Sequence, residues 1–290
     1  MELSDLRIFC QVAQTQSVTR AAAQLHRVPS NVTTRLRQLE EDIGQALFLR
    51  ERRGMAITPA GQQLLGYAQR LLDLAQEAHE ALQDNTPRGR LRLGAMESTA
   101  AVRLPAPLAE YHRRYPLVAM ELRTGPSHAL LTQVLNGDLD AALVADPTPH
   151  ERLVSAPAFT EELLLVADAG HRKIRSPDDV AQATLLGFGA GCSYRRKLED
   201  WYRAGATGPH RLVELSSYHA ILACAVAGMG VALVPRALLE LFPQRAGLSC
   251  HPLPAALRHS RTCLVWRKGT DTPKVQALAH MLRLPKKAQA

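Results

Sequence analysis

The sequence predicts an α/β protein built from a small helical head with a basic hairpin, a long connecting helix, and a two-lobed domain of strands and helices. Three observations predict it. Residues 17–59 read as two short helices, a turn and an arginine-bearing hairpin. Residues 64–82 carry apolar side chains at heptad spacing. From residue 90 onward, strand-like runs alternate with helical ones, the pattern of parallel α/β folds. At 290 residues the chain is too long for the head alone and has room for two or three units.

Composition narrows the class. A hydrophobic content of 46% is ordinary for a soluble globular chain, and the formal net charge of +8 suits a polyanionic partner. The first dozen residues carry acids and no long apolar run, so no secretion signal is read there. No stretch approaches the roughly 20 apolar residues that span a bilayer. The five cysteines (Cys10, Cys192, Cys224, Cys250 and Cys263) are scattered without metal-ligand spacing. They point to a reducing cytoplasm, with no disulfide framework, metal or other cofactor expected.

The head comes first. Leu3, Leu6, Phe9, Val12 and Ala13 recur at helical spacing and make one apolar face. Ser17 or Thr19 can cap the next helix, whose Ala21, Ala22 and Leu25 suit close packing. Pro29 then ends one helix and Ser30 caps the following one. In that third helix Val32, Leu36, Leu39 and Ile43, spaced by four, three and four, form the inward stripe. Outward stand Asn31, Thr34, Arg35 and Gln38, flanked by Ser30, Thr33 and Arg37, with no carboxylate before Glu40. Arginine suits guanine edges, Asn and Gln suit adenine, and Thr suits a thymine methyl or a phosphate. Thr19 and Arg20 join them as candidate DNA contacts. The plain alternative, a solvated helix face, would normally carry more acids. Arg50, Arg52 and Arg53 then cluster at a glycine-containing turn between short apolar pieces, a hairpin whose arginines could reach the backbone or the minor groove. A solvated loop is the alternative there.

The connecting helix starts at Thr58-Pro59, a cap followed by proline at the first position, and is expected to run to about Gln83. Leu64, Ala68, Leu71, Ala75, Ala78 and Leu82 are spaced as a two-helix seam requires. Packing on the protein's own core is the alternative. Two half-sites need two heads, which favours a dimer.

The large domain follows. Residues 90–95 read as a strand, 102–115 as a helix, 117–124 as a strand, 127–135 as a helix and 139–144 as a buried strand. A second set follows: strands at 163–166, 185–187, 212–215 and 231–234, with a helix over 218–227. A strand at 263–266 and a helix after Pro273 return to the first lobe. The expected lobes are roughly 90–160 with 265–290, and 161–264. A cleft at the strand ends is the natural place for a small ligand. Ser98, Thr99, Ser127, Cys192, Ser193 and Ser217 fall at strand ends or helix starts, where hydroxyls and free N–H groups suit a carboxylate or other small anion. Simple helix capping is the alternative for each. Cys192, after a glycine-rich turn and near Arg195 and Arg196, could favour a thiolate. Cys224 reads as core. Gly228-Met229-Gly230 lacks the Lys-Ser/Thr of a phosphate loop.

Ala22-Ala23-Gln24-Leu25, Pro29-Ser30, Leu39-Glu40-Glu41-Asp42-Ile43-Gly44, Leu47-Phe48-Leu49-Arg50 and Ile57-Thr58-Pro59-Ala60-Gly61 occur in the order and spacing of one known pattern. The first sixty-odd residues thus resemble the winged helix-turn-helix of LysR-type transcriptional regulators. Asn31-Val32-Thr33-Thr34 departs from the smaller, serine-rich start common there, so no operator preference carries over. The resemblance implies a DNA-binding domain over 1–58, a linker and dimerisation helix with hinge over 59–89, and a periplasmic-binding-protein-like effector domain over 90–290. It implies further a homodimer or homotetramer on an inverted-repeat operator, a small-molecule effector, contact with RNA polymerase, and no membrane. Cys192 resembles the reactive cysteine of peroxide-sensing members, without the second cysteine those carry, which leaves redox sensing as the alternative. An enzyme with Cys192 as nucleophile and His128 or His219 as base has no local motif behind it. A constitutive architectural protein would leave the large domain unused.

Overall fold

The computed structural model describes every residue except 52–53, 82–85, 206–207, 209–210 and 284–290. Arg52, Arg53 and Leu82 therefore lie outside the described residues, as does the side chain of Arg50. The chain divides into two compact units, Met1–Asn85 and Thr86–Ala290. Among the described residues no helix is long and apolar enough to cross a membrane.

In the first unit, α1 (Leu3–Thr15) buries Leu6, Phe9 and Val12. Ser17 accepts a hydrogen bond from the Arg20 N–H and opens α2 (Val18–Gln24), whose Ala21 and Ala22 are buried. The next helix, α3 (Pro29–Ile43), begins at Pro29 itself, with Val28 at the cap position. The expectation that Pro29 ends a helix and Ser30 caps the next is corrected here. α2 has already ended at Gln24, and proline at the first helical position forfeits no bond, since that N–H has no partner in the helix anyway. Val32, Leu36 and Leu39 of α3 face the core.

Strands β1 (Phe48–Glu51) and β2 (Gly54–Ile57) form the expected antiparallel hairpin. The Met55 N–H donates to the Gln16 carbonyl at 3.1 Å. A Cβ on Gly54 would lie 2.6 Å from that same oxygen, so only glycine lets the hairpin close on α1. Helix α4 (Pro59–Ala81) starts from Thr58, whose hydroxyl donates to the Ala46 carbonyl at 2.8 Å and accepts the Gly61 N–H at 3.0 Å. Leu64 and Ala68 turn into the unit's own core, and Ala68 is fully buried. They leave the expected dimer seam because the first turns of α4 lie against α1. Among the described residues, the apolar side chains that α4 exposes are Tyr67, Leu71, Leu74 and Ala78, again spaced by four, three and four, with Ala75 half-buried.

In the second unit the strands are β3 (Gly89–Ala95), β4 (Val118–Thr124), β5 (Ala141–Ala145), β6 (Leu153–Asp168), β7 (Thr184–Gly187), β8 (Arg211–Glu214), β9 (Val231–Pro235), β10 (Leu248–Pro252) and β11 (His259–Arg267). The helices are α5 (Glu97–Val102), α6 (Pro105–Arg114), α7 (Ser127–Asn136), α8 (Ser193–Ala204), α9 (Tyr218–Val226), α10 (Arg236–Leu239), α11 (Ala255–Arg258) and α12 (Pro273–Arg283). Strand order is β4-β3-β5-β11-β6-β9-β7-β8, with β10 added on β6. The first lobe's core gathers Leu91, Leu93, Tyr111, Leu264, Trp266 and Leu278 on one face of its strands. Leu130, Val134, Leu139 and Val265 cover the other. The second lobe packs Trp201, Tyr202, Ile221 and Leu222 on β6, β7 and β9.

Two expectations change. Parallel pairing holds within β3-β4-β5 and β7-β8-β9, but β6 and β11 run antiparallel to their neighbours and cross between the lobes as a paired ribbon, from His259 opposite Glu162 to Arg267 opposite Leu153. The ribbon's register shifts once, between Thr262 and Cys263. The sequence showed only the apolar end of β6, because its first half (LVSAPAFT) mixes small and polar residues around Pro157. Residues 102–115 form no single helix: Arg103 and Leu104 separate α5 from α6, which restarts with Pro105 at its first turn.

Candidate functional site

Each unit carries a candidate site. On α3, Ser30, Asn31, Thr34, Arg37 and Gln38 are exposed, as are Thr19 and Arg20 on α2. Several are pre-oriented. Arg27 donates to Asn31 Oδ1 at 3.1 Å, Arg37 pairs with Glu41 at 3.0 Å, and the Thr33 hydroxyl donates back to the Pro29 carbonyl at 3.0 Å. Arg20 donates through its guanidinium to the Thr15 carbonyl. The lack of acid on this face has a structural cause. Glu40, at the end of the outward run, accepts the Leu47 and Phe48 N–H groups at 2.7 and 3.1 Å, so its charge is spent on stitching α3 to β1.

Arg35 departs from the outward expectation. Its Nε lies 2.7 Å from Asp5 Oδ1 and its guanidinium donates to Ser4 Oγ at 2.9 Å, with the side chain 34% exposed. Helical periodicity places residue 35 at the edge of the outward face. α1, packed alongside, supplies the buried carboxylate that turns it inward.

The second site is a cavity of about 260 Å³ between the lobes of the second unit. The end of β3 and the start of α5 contribute Met96, Glu97 and Ser98, and the turn into α7 contributes Thr124, Pro126 and Ser127. Facing them are Phe188, Cys192, Ser193, Tyr194, Ser216 and Tyr218. Of the expected effector residues, the structure brings together Ser98, Ser127, Cys192 and Ser193. Thr99 is buried beside the cavity without lining it, and Ser217 caps α9 by accepting the His219 N–H at 3.1 Å. Ser127 holds α7 to β5 by accepting the Ala145 N–H at 3.2 Å. Across the cleft, Asp146, just after β5, faces Lys197 of α8 at 3.1 Å. Burial opposes ionisation of Asp146, but bonds from Ser260, the Arg261 N–H and Lys197 outweigh it and hold its carboxyl below the usual range.

Burial pushes the Cys192 pKa up, and the Arg195 and Tyr194 N–H groups that favour the thiolate do not offset it. Arg195 is engaged by Glu199 at 2.7 Å and Glu214 at 2.6 Å. Sequence reasoning missed Glu97, the one acid lining the cavity among the described residues. Burial raises its pKa against the lowering effect of the Tyr218 N–H, and one of its oxygens is buried without a hydrogen-bond partner. The available signal was an acid at a strand-to-helix junction beside Ser98, among residues otherwise read for their hydroxyls.

Two family descriptions match the chain. "Bacterial regulatory helix-turn-helix protein, lysR family" covers residues 3–62, and "LysR substrate binding domain" covers residues 84–284. The HTH-type transcriptional regulator YofA of Bacillus velezensis is 40% identical over 92% of this chain and 92% of its own. The HTH-type transcriptional regulator GltR of Bacillus subtilis is 37% identical over 97% of this chain and 96% of its own. Among solved structures, a full-length OxyR variant from Pseudomonas aeruginosa superposes with a TM-score of 0.71 at 24% identity, covering 98% of this chain and 95% of that one. With a helix-turn-helix head, a hairpin wing and a two-lobed domain holding a cavity, the chain belongs to the LysR family of bacterial helix-turn-helix transcriptional regulators.

Proposed function

We propose that the protein is a homodimer that reads an inverted repeat in double-stranded DNA through α3 and its wing, and that a small molecule in the interlobe cavity modulates operator binding or activation. The observation that carries the DNA reading is the exposed, acid-poor face of Ser30, Asn31, Thr34 and Gln38, with Glu40 withdrawn into backbone hydrogen bonds. Asparagine and glutamine there present paired donor and acceptor groups to adenine edges. The stripe of Tyr67, Leu71, Leu74 and Ala78 supports the dimer, and two heads match a two-fold repeated site. The elevated Cys192 pKa favours a metabolite over an oxidant as the signal. It also makes Cys192 a poor nucleophile, so the reading carries no catalytic step.

Selection from a randomised duplex library tests it. Wild type is expected to enrich an inverted repeat, and Gln38→Ala is expected to relax one position in each half-site. Enrichment of single, unpaired motifs, or none, would overturn the dimer reading.

A further inference from the structure

The cavity's charge pattern assigns its ligand a sign. Among the described residues its lining holds one acid, Glu97, and no Lys, Arg or His. One Glu97 oxygen is buried with no hydrogen-bond partner. A carboxylate held in this way is unfavourable unless something pairs with it. The cations in neighbouring elements do not. Arg103 is committed to Glu161 through two bonds of 2.7 and 2.9 Å, Arg195 to Glu199 and Glu214, and Lys197 to Asp146.

An incoming carboxylate would meet the like charge of Glu97 and no cationic side chain in the lining. A cation meets an unpaired carboxylate oxygen. It also meets two rings, Phe188 and Tyr218, set edge to face with centroids 4.8 Å apart. Aromatic faces attract alkylammonium groups, and more strongly where water is excluded.

We infer that the effector is a small organic cation, an amine without a carboxylate, whose protonated nitrogen sits against Glu97 with Phe188 and Tyr218 around its alkyl groups. This rests on the effector reading above and names the chemistry that reading leaves open.

The test uses the full chain in thermal-shift and calorimetric titrations with matched probes. These are aliphatic amines and diamines, quaternary ammonium compounds, the proteinogenic amino acids, and carboxylates and alcohols of the same carbon skeletons. A saturable shift confined to probes that carry a cationic nitrogen and no carboxylate is expected, and amino acids that bind as tightly as the matching amines would overturn the exclusion of a carboxylate. In Glu97→Gln the affinity of the best probe is expected to fall roughly 10- to 100-fold, the loss of one charge-assisted bond. Ser127→Leu, which fills the cavity from α7, is expected to abolish the shift. Carboxylates or alcohols that bind wild type and Glu97→Gln alike would overturn the cation assignment and leave the effector reading standing. Cations that bind Glu97→Gln as tightly as wild type would overturn the role of Glu97. No shift with any probe would overturn both readings.

Discussion

Arg35 and Gln38 lie one turn apart on α3 and do different work. The Arg35 guanidinium is spent on Asp5, which is 5% exposed, and on Ser4. Arg35→Ala removes the partner of a nearly buried carboxylate and should lower the stability of the first unit by about 1 kcal/mol, the discount for its partial exposure included. Its operator preference should stay unchanged in equilibrium binding to variant duplexes. Gln38→Ala should do the reverse, leaving urea denaturation unaltered and relaxing discrimination by about 1–3 kcal/mol at one base pair. If Arg35→Ala relaxes discrimination, α3 contacts DNA along a different edge. Glu97 also acts on stability. Burial raises its pKa, so the stability of the protonated form is full below the ordinary value of about 4.3 and is lost as pH rises through the raised value. Glu97→Gln should therefore raise the ligand-free melting temperature by about 1–3 °C at neutral pH and by nothing near pH 4. A flat difference across that range would remove burial of the charge as the cause. Glu97 was illegible in sequence because its role depends on α9, which begins more than a hundred positions later and supplies the Tyr218 N–H.

At the scale of the element, α4 divides its apolar residues between two surfaces. Ala68 sits in the core of the head, whereas Leu71 and Leu74 are 39% and 59% exposed. Leu74→Glu should shift sedimentation from dimer to monomer and leave thermal stability of the head near wild type. Ala68→Glu should destabilise the head outright, by burying an unpaired charge. Equal sedimentation of wild type and Leu74→Glu would mean that the stripe is not the seam. Heptad spacing was visible in the sequence, but its phase was not. Spacing shows a repeat, while packing against α1 decides which turns stay free. The Ile57-Thr58-Pro59-Ala60-Gly61 motif is more fully local. Thr58 caps α4, and Gly61 carries no side chain because a Cβ would stand 2.3 Å from the Leu47 carbonyl oxygen. The head was therefore legible almost element by element, since its caps, turns and close approaches involve residues near one another in sequence.

At the scale of the molecule, the larger domain was legible in class and less so in connection. Buried strands such as Ala141–Ala145 and Val231–Pro235 announce themselves as apolar runs. β6 did not, because Ala156, Pro157 and Ala158 make no alternating pattern, and strand direction across the sheet is set by partners far along the chain. β10 was not read at all, and the two strands that join the lobes, β6 and β11, were read only in part, over 163–166 and 263–266. Their continuity has a consequence for how the chain tolerates change in length. Adjacent residues of a strand point to opposite faces, so one added residue within β6 or β11 inverts the pleat for everything downstream until a bulge absorbs it. The ribbon has one such irregularity, at Thr262/Cys263. A library of single-residue insertions along the whole chain, scored by soluble expression, should show deep troughs over Leu153–Asp168 and His259–Arg267. A shallow notch should mark the bulge, and the loops within each lobe should score as permissive plateaus.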